Sequence, residues 1–297
     1  MSVKIDNVRN VARVDVRTPR LGTTLTRLAI YLVLIGGAVL VLIPFLWTAS
    51  TALKTTPQAL SSPPEWIPDP VMWSNFATAL TAMPFATYYK NSLTIALLRI
   101  VGDVLSSSIV AYGFARLRFP GRNFLFLVVL STMMIPFHVL IIPRFILFRE
   151  VGWLDSLLPL IVPSFFGSAF SIFLLRQYFM TIPRALDDAA KIDGCGHFST
   201  FWRIVLPLSK PAIGAIAVFE FLNSWDDFLG PLIYISSDRN FTVELGLNSF
   251  RTEYFTEWNL FMAASLVAML LPLTIFFIAQ KYFIGGVTLV GSAGSKG

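Results

Sequence analysis

A cluster of polar residues interrupts an apolar run in the C-terminal half of the sequence. It contains Glu220, Asn223, Trp225, Asp226 and Asp227. An indole ring offers a flat apolar face for stacking, and carboxylate and amide oxygens accept hydrogen bonds from hydroxyl groups. These residue types suit a polyhydroxylated ligand such as a sugar. Two other interpretations stay open: a polar gate in a broken helix or, for Asp226 and Asp227, a position at the outer end of the run.

Other kinds of chemistry lack the residues that they need. ATP hydrolysis at a P-loop needs the motif GxxxxGK[ST], and the nearest match, the C-terminal GSAGSKG, has Ser295 where a glycine must precede Lys296. The only cysteine is Cys195, and no group of His, Cys and carboxylate residues has the spacing of metal ligands. We therefore predict a protein that is not an enzyme and that carries no metal or cofactor of its own.

The composition predicts a polytopic membrane protein. Hydrophobic residues make up 55% of the 297 residues and charged residues only 13%, about half the usual share of charge in a soluble domain. A spanning helix needs about 20 mostly apolar residues. Six stretches meet this need, which predicts an all-α protein with six transmembrane helices: 28–49, 91–115, 123–143, 157–175, 211–235 and 260–283.

Charged and helix-breaking residues mark particular places in these spans. Arg99 and Asp103 are four residues apart, so they would share one helix face and neutralise each other. Pro136 and Pro143 predict a break in the third span. His138, between the two prolines, is expected to be a hydrogen-bonded histidine inside the bundle.

The distribution of basic residues predicts the orientation. With the N-terminus in the cytoplasm, 16 of the 23 Lys and Arg residues fall in internal segments and six in external ones, as the positive-inside rule requires. Both termini should therefore be cytoplasmic. The net charge of +6 is then a feature of membrane topology, and we expect no nucleic-acid partner.

Most of the internal mass lies in one long loop, residues 177–210. Pro183 suits the first turn of a helix, and Gly194 suits a left-handed residue that ends it. Ser199 is predicted to cap a second short helix, which Pro207 would close. The sequence thus predicts a helix, a glycine elbow and another helix. Asp188, Ala189 and Ala190 would form a compact patch on the first helix.

This loop resembles the EAA loop of permease subunits in ATP-binding cassette (ABC) importers. The family pattern is EAA, three residues, Gly, nine residues, Ile, one residue, Leu-Pro, and here Asp replaces the Glu. The segments YGFARLRFPGR, NSWDDFLGPLIYIS and YFIGGVTLVG extend the resemblance to the smaller permease subunit of maltose-type sugar importers. The resemblance implies that the ATPase-coupling residues are Asp188, Ala189, Ala190, Gly194, Ile204, Leu206 and Pro207.

The resemblance also implies the architecture of a type I ABC importer permease and its partners. A cytoplasmic segment 1–27 would precede a permease domain 28–284, and a tail 285–297 would reach toward the ATPases. The partners would be a second permease subunit, two ATPases that hold ATP and magnesium, an extracytoplasmic sugar-binding protein and the lipid bilayer. The external loop 236–258 would touch the binding protein, and its acids Glu244, Glu253 and Glu257 could pair with it. The location would be the cytoplasmic membrane of a bacterium or archaeon.

A different class of transporter stays open from the residues alone. An ion-gradient-driven secondary transporter would use Glu220 and Asp226 as a proton relay. It would have inverted repeats, which the sequence does not display, and it leaves the EAA-like loop unexplained. Neither hypothesis identifies the transported solute.

Overall fold

The computed structural model describes residues 21–251 and 256–292, and the side chains of residues 26–251 and 256–280. Most of the predicted N-terminal segment 1–27 and the last residues of the predicted tail 285–297 lie outside this part. The described residues form helices and connecting loops, with a single antiparallel bridge between Arg251 and Thr256. The prediction of an all-α protein is confirmed.

Fifteen α-helices make up most of the described residues. The α-helices of the described residues are α1 Leu21–Ala52, α2 Thr56–Ala59, α3 Ser74–Ala82, α4 Phe85–Arg116, α5 Arg122–Ser131, α6 Phe137–Glu150, α7 Leu158–Ile161, α8 Ala169–Thr181, α9 Ala185–Ile192, α10 His197–Thr200, α11 Leu206–Leu208, α12 Lys210–Trp225, α13 Leu229–Tyr234, α14 Val243–Leu247 and α15 Trp258–Ser292. A π-helical turn, Phe201–Val205, joins α10 to α11.

Four stretches are long and apolar enough to cross a membrane without a sharp bend, and two bent pairs raise the number to six. The four are Thr26–Ala52, Phe85–Arg116, Leu158–Thr181 and Trp258–Gln280. In the first bent pair, Arg122–Met134 and Phe137–Glu150 meet at 95°, which confirms the predicted break at Pro136. The range of four to six spans includes the six predicted from the sequence.

The predicted fifth span, 211–235, corresponds to α12 followed by α13. The second bent pair instead joins His197–Leu208 to α12 at 76°. Helix α12 has 16 residues, about 24 Å at 1.5 Å per residue, which is short of the ~30 Å hydrocarbon layer. Together with α13, which follows after a break at residues 226–228, it covers the predicted fifth span.

The chain divides into two compact units, residues 1–48 and 49–297. In the first unit, the described side chains from 26 to 46 are exposed, as expected for an apolar helix that faces lipid. Pro44 lies inside this helix, and its carbonyl accepts a hydrogen bond from Thr48 Oγ1 at 2.9 Å. This is the usual bond of a helical Thr hydroxyl to the carbonyl four residues earlier.

In the second unit, α4 packs along α8 and α12. Gly102 permits the close approach of α4 to residues 162–166, because a Cβ there would lie 2.5 Å from Ser164 Oγ and 2.7 Å from Phe165 Cδ2. The carboxylate of Asp103 is buried next to it. It accepts hydrogen bonds from Ser107 Oγ at 2.7 Å, from the Ser168 backbone N–H at 3.0 Å and from the Ser171 hydroxyl. Small residues at helix contacts are typical of membrane bundles.

Candidate functional site: a charged cavity and a cytoplasmic hairpin

A charged cluster joins the second span to the fifth. Arg99 Nε lies 2.7 Å from Glu220 Oε1, and Arg99 Nη1 lies 3.6 Å from Asp227 Oδ2. The predicted pairing of Arg99 with Asp103 is therefore wrong. The guanidinium reaches a neighbouring helix, and the hydroxyl and amide donors described above already satisfy the Asp103 carboxylate.

The break in the fifth span positions Asp227. Helix α12 ends at Trp225 and α13 begins at Leu229. The backbone N–H of Gly230 donates a hydrogen bond to Asp227 Oδ1 at 2.9 Å, and a Cβ on Gly230 would lie 2.7 Å from Asp227 Oδ2. Glycine at this position lets the carboxylate fold back over the new helix. The helix is thus broken within the polar segment, and a role of this break as a gate stays a prediction.

These charged groups line a cavity of about 630 Å³, within the usual range for ligand pockets. Three of the predicted substrate-path residues line it, namely Glu220, Asn223 and Asp227, and their contact with a solute stays a prediction. Arg99, Asp103, His138 and Arg144 line it as well, although the sequence argument did not assign them there. The carboxylates can accept hydrogen bonds from a polar solute, and the guanidinium groups can donate them.

Two of the predicted substrate-path residues lie elsewhere. Trp225 is 5% exposed and packs in the hydrophobic core, stacked on Phe221 at 5.5 Å and edge-on to Tyr89 at 5.2 Å. The expectation that its ring faces a solute is therefore wrong. Asp226 is exposed but does not line this cavity. His138 also departs from its expectation, because its side chain is exposed and lines the cavity.

Acidic residues of the external loop have different surroundings. Glu244 is half-buried. Burial, and secondarily the charge of Asp226, raise the pKa of its carboxyl above the ordinary value. Glu257 is half-buried as well, and Glu253 lies outside the described residues. Pairing of these acids with a binding protein stays a prediction.

The long loop forms the predicted helix, elbow and helix. Gly194 has φ +78°, the Gly194 N–H donates to Lys191 O at 3.0 Å, and the Cys195 N–H donates to Ala190 O at 2.8 Å. These two hydrogen bonds define a Schellman cap, which confirms the predicted role of Gly194. The second helix differs from the prediction, because it begins at His197 after an extended Gly196, so Ser199 is not its cap.

The first helix of the loop is fixed to the second span by an ion pair. Arg116 Nη1, near the end of α4, lies 3.0 Å from Asp187 Oδ2, and their side chains are only 5% and 18% exposed. Arg116 Nη2 also donates to Ile182 O at 2.8 Å. Helix α9 is thereby held against the cytoplasmic end of α4.

The outward surface of the loop combines charge and apolar groups. The Asp188 side chain is 72% exposed and lies 4.0 Å from Lys191 Nζ, and Ala189 is exposed as well. Ala190 is 3% exposed and faces inward, so the three residues do not form one patch as predicted. Ile192 and Phe198 are 87% and 72% exposed. The sequence argument did not assign these two exposed apolar side chains to the loop surface.

The long loop forms a helical hairpin, with α9 as its first arm and His197–Leu208 as its second arm. The three remaining residues of the EAA-like pattern lie on the second arm. Ile204 and Leu206 are half-buried and Pro207 is exposed. Between them Val205 is fully buried and packs with Phe201 against the spans. The second arm thus anchors the hairpin to the bundle, and the first arm presents its outward surface.

Comparison with known proteins identifies the family. The model of the family described as "Binding-protein-dependent transport system inner membrane component" matches residues 103–288, more than half of the chain. The chain belongs to this family. It is a multi-pass, inner-membrane permease of the ABC importer type.

The sequence alignments with two relatives cover most of this permease. It is 40% identical to the arabinooligosaccharides transport system permease protein AraQ of Bacillus subtilis (strain 168), over 70% of this chain and 73% of the relative. It is 33% identical to the sn-glycerol-3-phosphate transport system permease protein UgpE of Yersinia pestis, over 86% and 94%. The relatives give no support to the alternative of an ion-gradient-driven transporter.

The fold agrees with a solved importer. One chain of a bacterial ABC transporter involved in the import of the acidic polysaccharide alginate matches with a TM-score of 0.77 and 20% identity, over 89% of this permease and 98% of that chain. At this identity the likeness shows the fold alone. The predicted permease architecture is confirmed.

Proposed function

We propose that this permease is one of two transmembrane subunits of an ATP-driven importer for a sugar or a similarly hydroxylated solute. Its partners would be a second permease, two cytoplasmic ATPases that hold ATP and magnesium, and an external binding protein. The membrane would be the cytoplasmic membrane of a bacterium or archaeon. The observation that carries the proposal is the family match, joined by two relatives named for arabinooligosaccharides and sn-glycerol 3-phosphate.

The long loop is the proposed site of coupling to the ATPases. Its outward residues Asp188, Ala189, Ile192 and Phe198 provide one charged group beside small and large apolar groups. Burial of the apolar groups would stabilise the complex with an ATPase, and the carboxylate would set the orientation of the two surfaces. Movement of the ATPases would then displace α9, which the Arg116–Asp187 ion pair ties to α4.

The charged cavity is the proposed part of the solute path on this subunit. Arg99 pairs with Glu220 and lies near Asp227, so these three groups together carry one excess negative charge. A solute with several hydroxyl groups can replace some of these contacts, because hydroxyls donate to carboxylates and accept from guanidinium groups. The bundle would alternate between two conformations. Solute or ATP shifts the equilibrium toward one of them only by the difference in its binding free energy to the two.

The coupling role is tested by a charge reversal. We expect the variant Asp188→Arg, in a complex with the second permease and the ATPases, to lose ATPase subunits during purification. Asp193→Arg is the matched control, because Asp193 is an exposed acid in the same loop at a position that the EAA-like pattern leaves variable. Equal ATPase retention in both variants would contradict coupling through Asp188.

The transported solute is tested in proteoliposomes with ATP and the binding protein supplied. ATP-dependent uptake of a labelled arabinooligosaccharide, with little uptake of sn-glycerol 3-phosphate, would support a sugar importer. Preferential uptake of sn-glycerol 3-phosphate would instead identify this phosphorylated polyol as the transported solute. Uptake under a proton gradient without ATP would overturn the proposed function altogether.

A further inference from the structure

A basic cavity lies where the second span ends and the third begins. The connection RLRFPGR turns at Gly121, which has φ +76°, and places arginines on both sides of the turn. The cavity has a volume of about 490 Å³, and the residues that line it are Arg118, Phe119, Gly121, Arg122, Asn123, Phe124 and Arg184. Three guanidinium groups therefore surround a space with no acidic side chain among its described lining residues.

The charges of these arginines are not neutralised within the described part of the chain. None of the ion pairs found there involves Arg118, Arg122 or Arg184. Arg122 Nη1 donates to Leu117 O at 3.1 Å, which holds that side chain across the turn. In the adjoining cavity, which shares Arg118 and Arg184, the acids Asp187 and Asp188 already lie beside Arg116 and Lys191. The 490 Å³ cavity thus keeps an excess of positive charge.

The position of the cavity indicates which kind of negatively charged group can reach it. It lies between the last residue of one span, Arg116, and the first residue of the next, Arg122, and so at the depth of lipid headgroups. Phe119 and Phe124 are 38% and 68% exposed, and apolar rings of this kind insert among lipid chains at the membrane interface. Helix α5 then continues into the bilayer with exposed Leu125 and Leu127, along which acyl chains can lie.

We propose that Arg118, Arg122 and Arg184 form a binding site for the headgroup of an anionic phospholipid. Guanidinium groups form paired hydrogen bonds with phosphate oxygens, and basic pockets on the cytoplasmic side of membrane helices recognise acidic headgroups. Arg184 precedes α9 of the long loop and Arg118 follows α4. A bound lipid would thus connect the long loop to the second span and support its position. This inference does not depend on the nature of the transported solute.

The test measures lipid retention by the full chain purified with its partner subunits. The complex is reconstituted with equal amounts of phosphatidylglycerol and phosphatidylcholine, and bound lipid is counted by native mass spectrometry. We expect the native complex to retain phosphatidylglycerol preferentially. The variant R118Q/R184Q should retain about 25-fold less, at about fivefold for each lost charge near an anionic headgroup. R118K/R184K, which keeps the charge, should retain most of the preference.

The matched control is R203Q/K210Q, which removes two exposed basic residues of the same loop that do not line the cavity; it should retain lipid as the native complex does. Equal retention of both lipids by the native complex, or unchanged retention by R118Q/R184Q, would overturn the proposal. Displacement of the lipid by millimolar sn-glycerol 3-phosphate or inorganic phosphate would assign a site for a soluble phosphate instead. Loss of ATPase subunits from R118Q/R184Q with lipid retention intact would assign the surface to the ATPase.

Discussion

At the scale of residues, the pair of Arg99 and Glu220 has the clearest measurable effect. Removing one partner from a fully buried pair costs about 3–5 kcal/mol, and these side chains keep 21% and 13% exposure. We therefore expect a coupling energy of about 1–2 kcal/mol between the two residues. A double-mutant cycle of Arg99→Gln and Glu220→Gln, followed by chemical unfolding in detergent, measures it.

Asp227 complicates that cycle in a predictable way. It lies 3.6 Å from the same guanidinium, so Arg99→Gln leaves two carboxylates without their cation, whereas Glu220→Gln leaves one ion pair. Arg99→Gln should therefore be the more destabilising variant. Equal effects of the two variants, or a coupling energy near zero, would contradict the geometry.

The sequence could identify only part of this cluster. Charged and amide residues within an apolar run are conspicuous, so Glu220, Asn223 and Asp227 could be predicted as cavity residues. The partner of Arg99 could not, because spacing within one helix does not reveal which neighbouring helix faces it. Trp225 was misassigned because an aromatic ring suits a hydrophobic core as well as a binding site.

At the scale of elements, the contact of α4 with residues 162–166 depends on Gly102. We expect Gly102→Ala to destabilise the protein by about 1–3 kcal/mol, the usual cost of overpacking. Gly113→Ala is the matched control, because Gly113 lies in the same helix and a Cβ added there would have nothing within 4 Å. It should be neutral or slightly stabilising, since alanine favours helix. Thermal unfolding of both variants in the same detergent checks the difference, and equal melting temperatures would contradict it.

Local signals predicted the elements well where one residue type decides the backbone. Gly194 was recognisable because a helix end with positive φ favours glycine, and Pro136 because proline interrupts a helix. The start of the second arm was not recognisable. Ser199 is a good cap residue, yet the helix begins three residues earlier than this cap would set, with Gly196 as the cap. Phe201 and Val205 continue it by packing against the spans.

At the scale of the whole molecule, α4 connects the two candidate sites. Arg99 belongs to the charged cavity, and Arg116 on the same helix holds Asp187 at the base of the long loop. A helix that carries both contacts moves as one body, because its backbone hydrogen bonds are internal. In the proposed coupling, a displacement of α9 by the ATPases would reach the cavity through the ion pair of Arg116.

Breaking that ion pair should separate ATP hydrolysis from transport. We expect Arg116→Ala or Asp187→Ala, in the assembled importer, to keep ATPase activity but to lower the solute transported per ATP hydrolysed by about tenfold, which corresponds to about 1.4 kcal/mol of lost coupling. The exchange R116D/D187R should restore part of it, because the opposite charges again face each other. Asp193→Ala, on the exposed end of α9, controls for a general change in the loop. An unchanged ratio in Arg116→Ala would show that the movement passes through another contact, of which the packing of Phe201 and Val205 against the spans is the first to test.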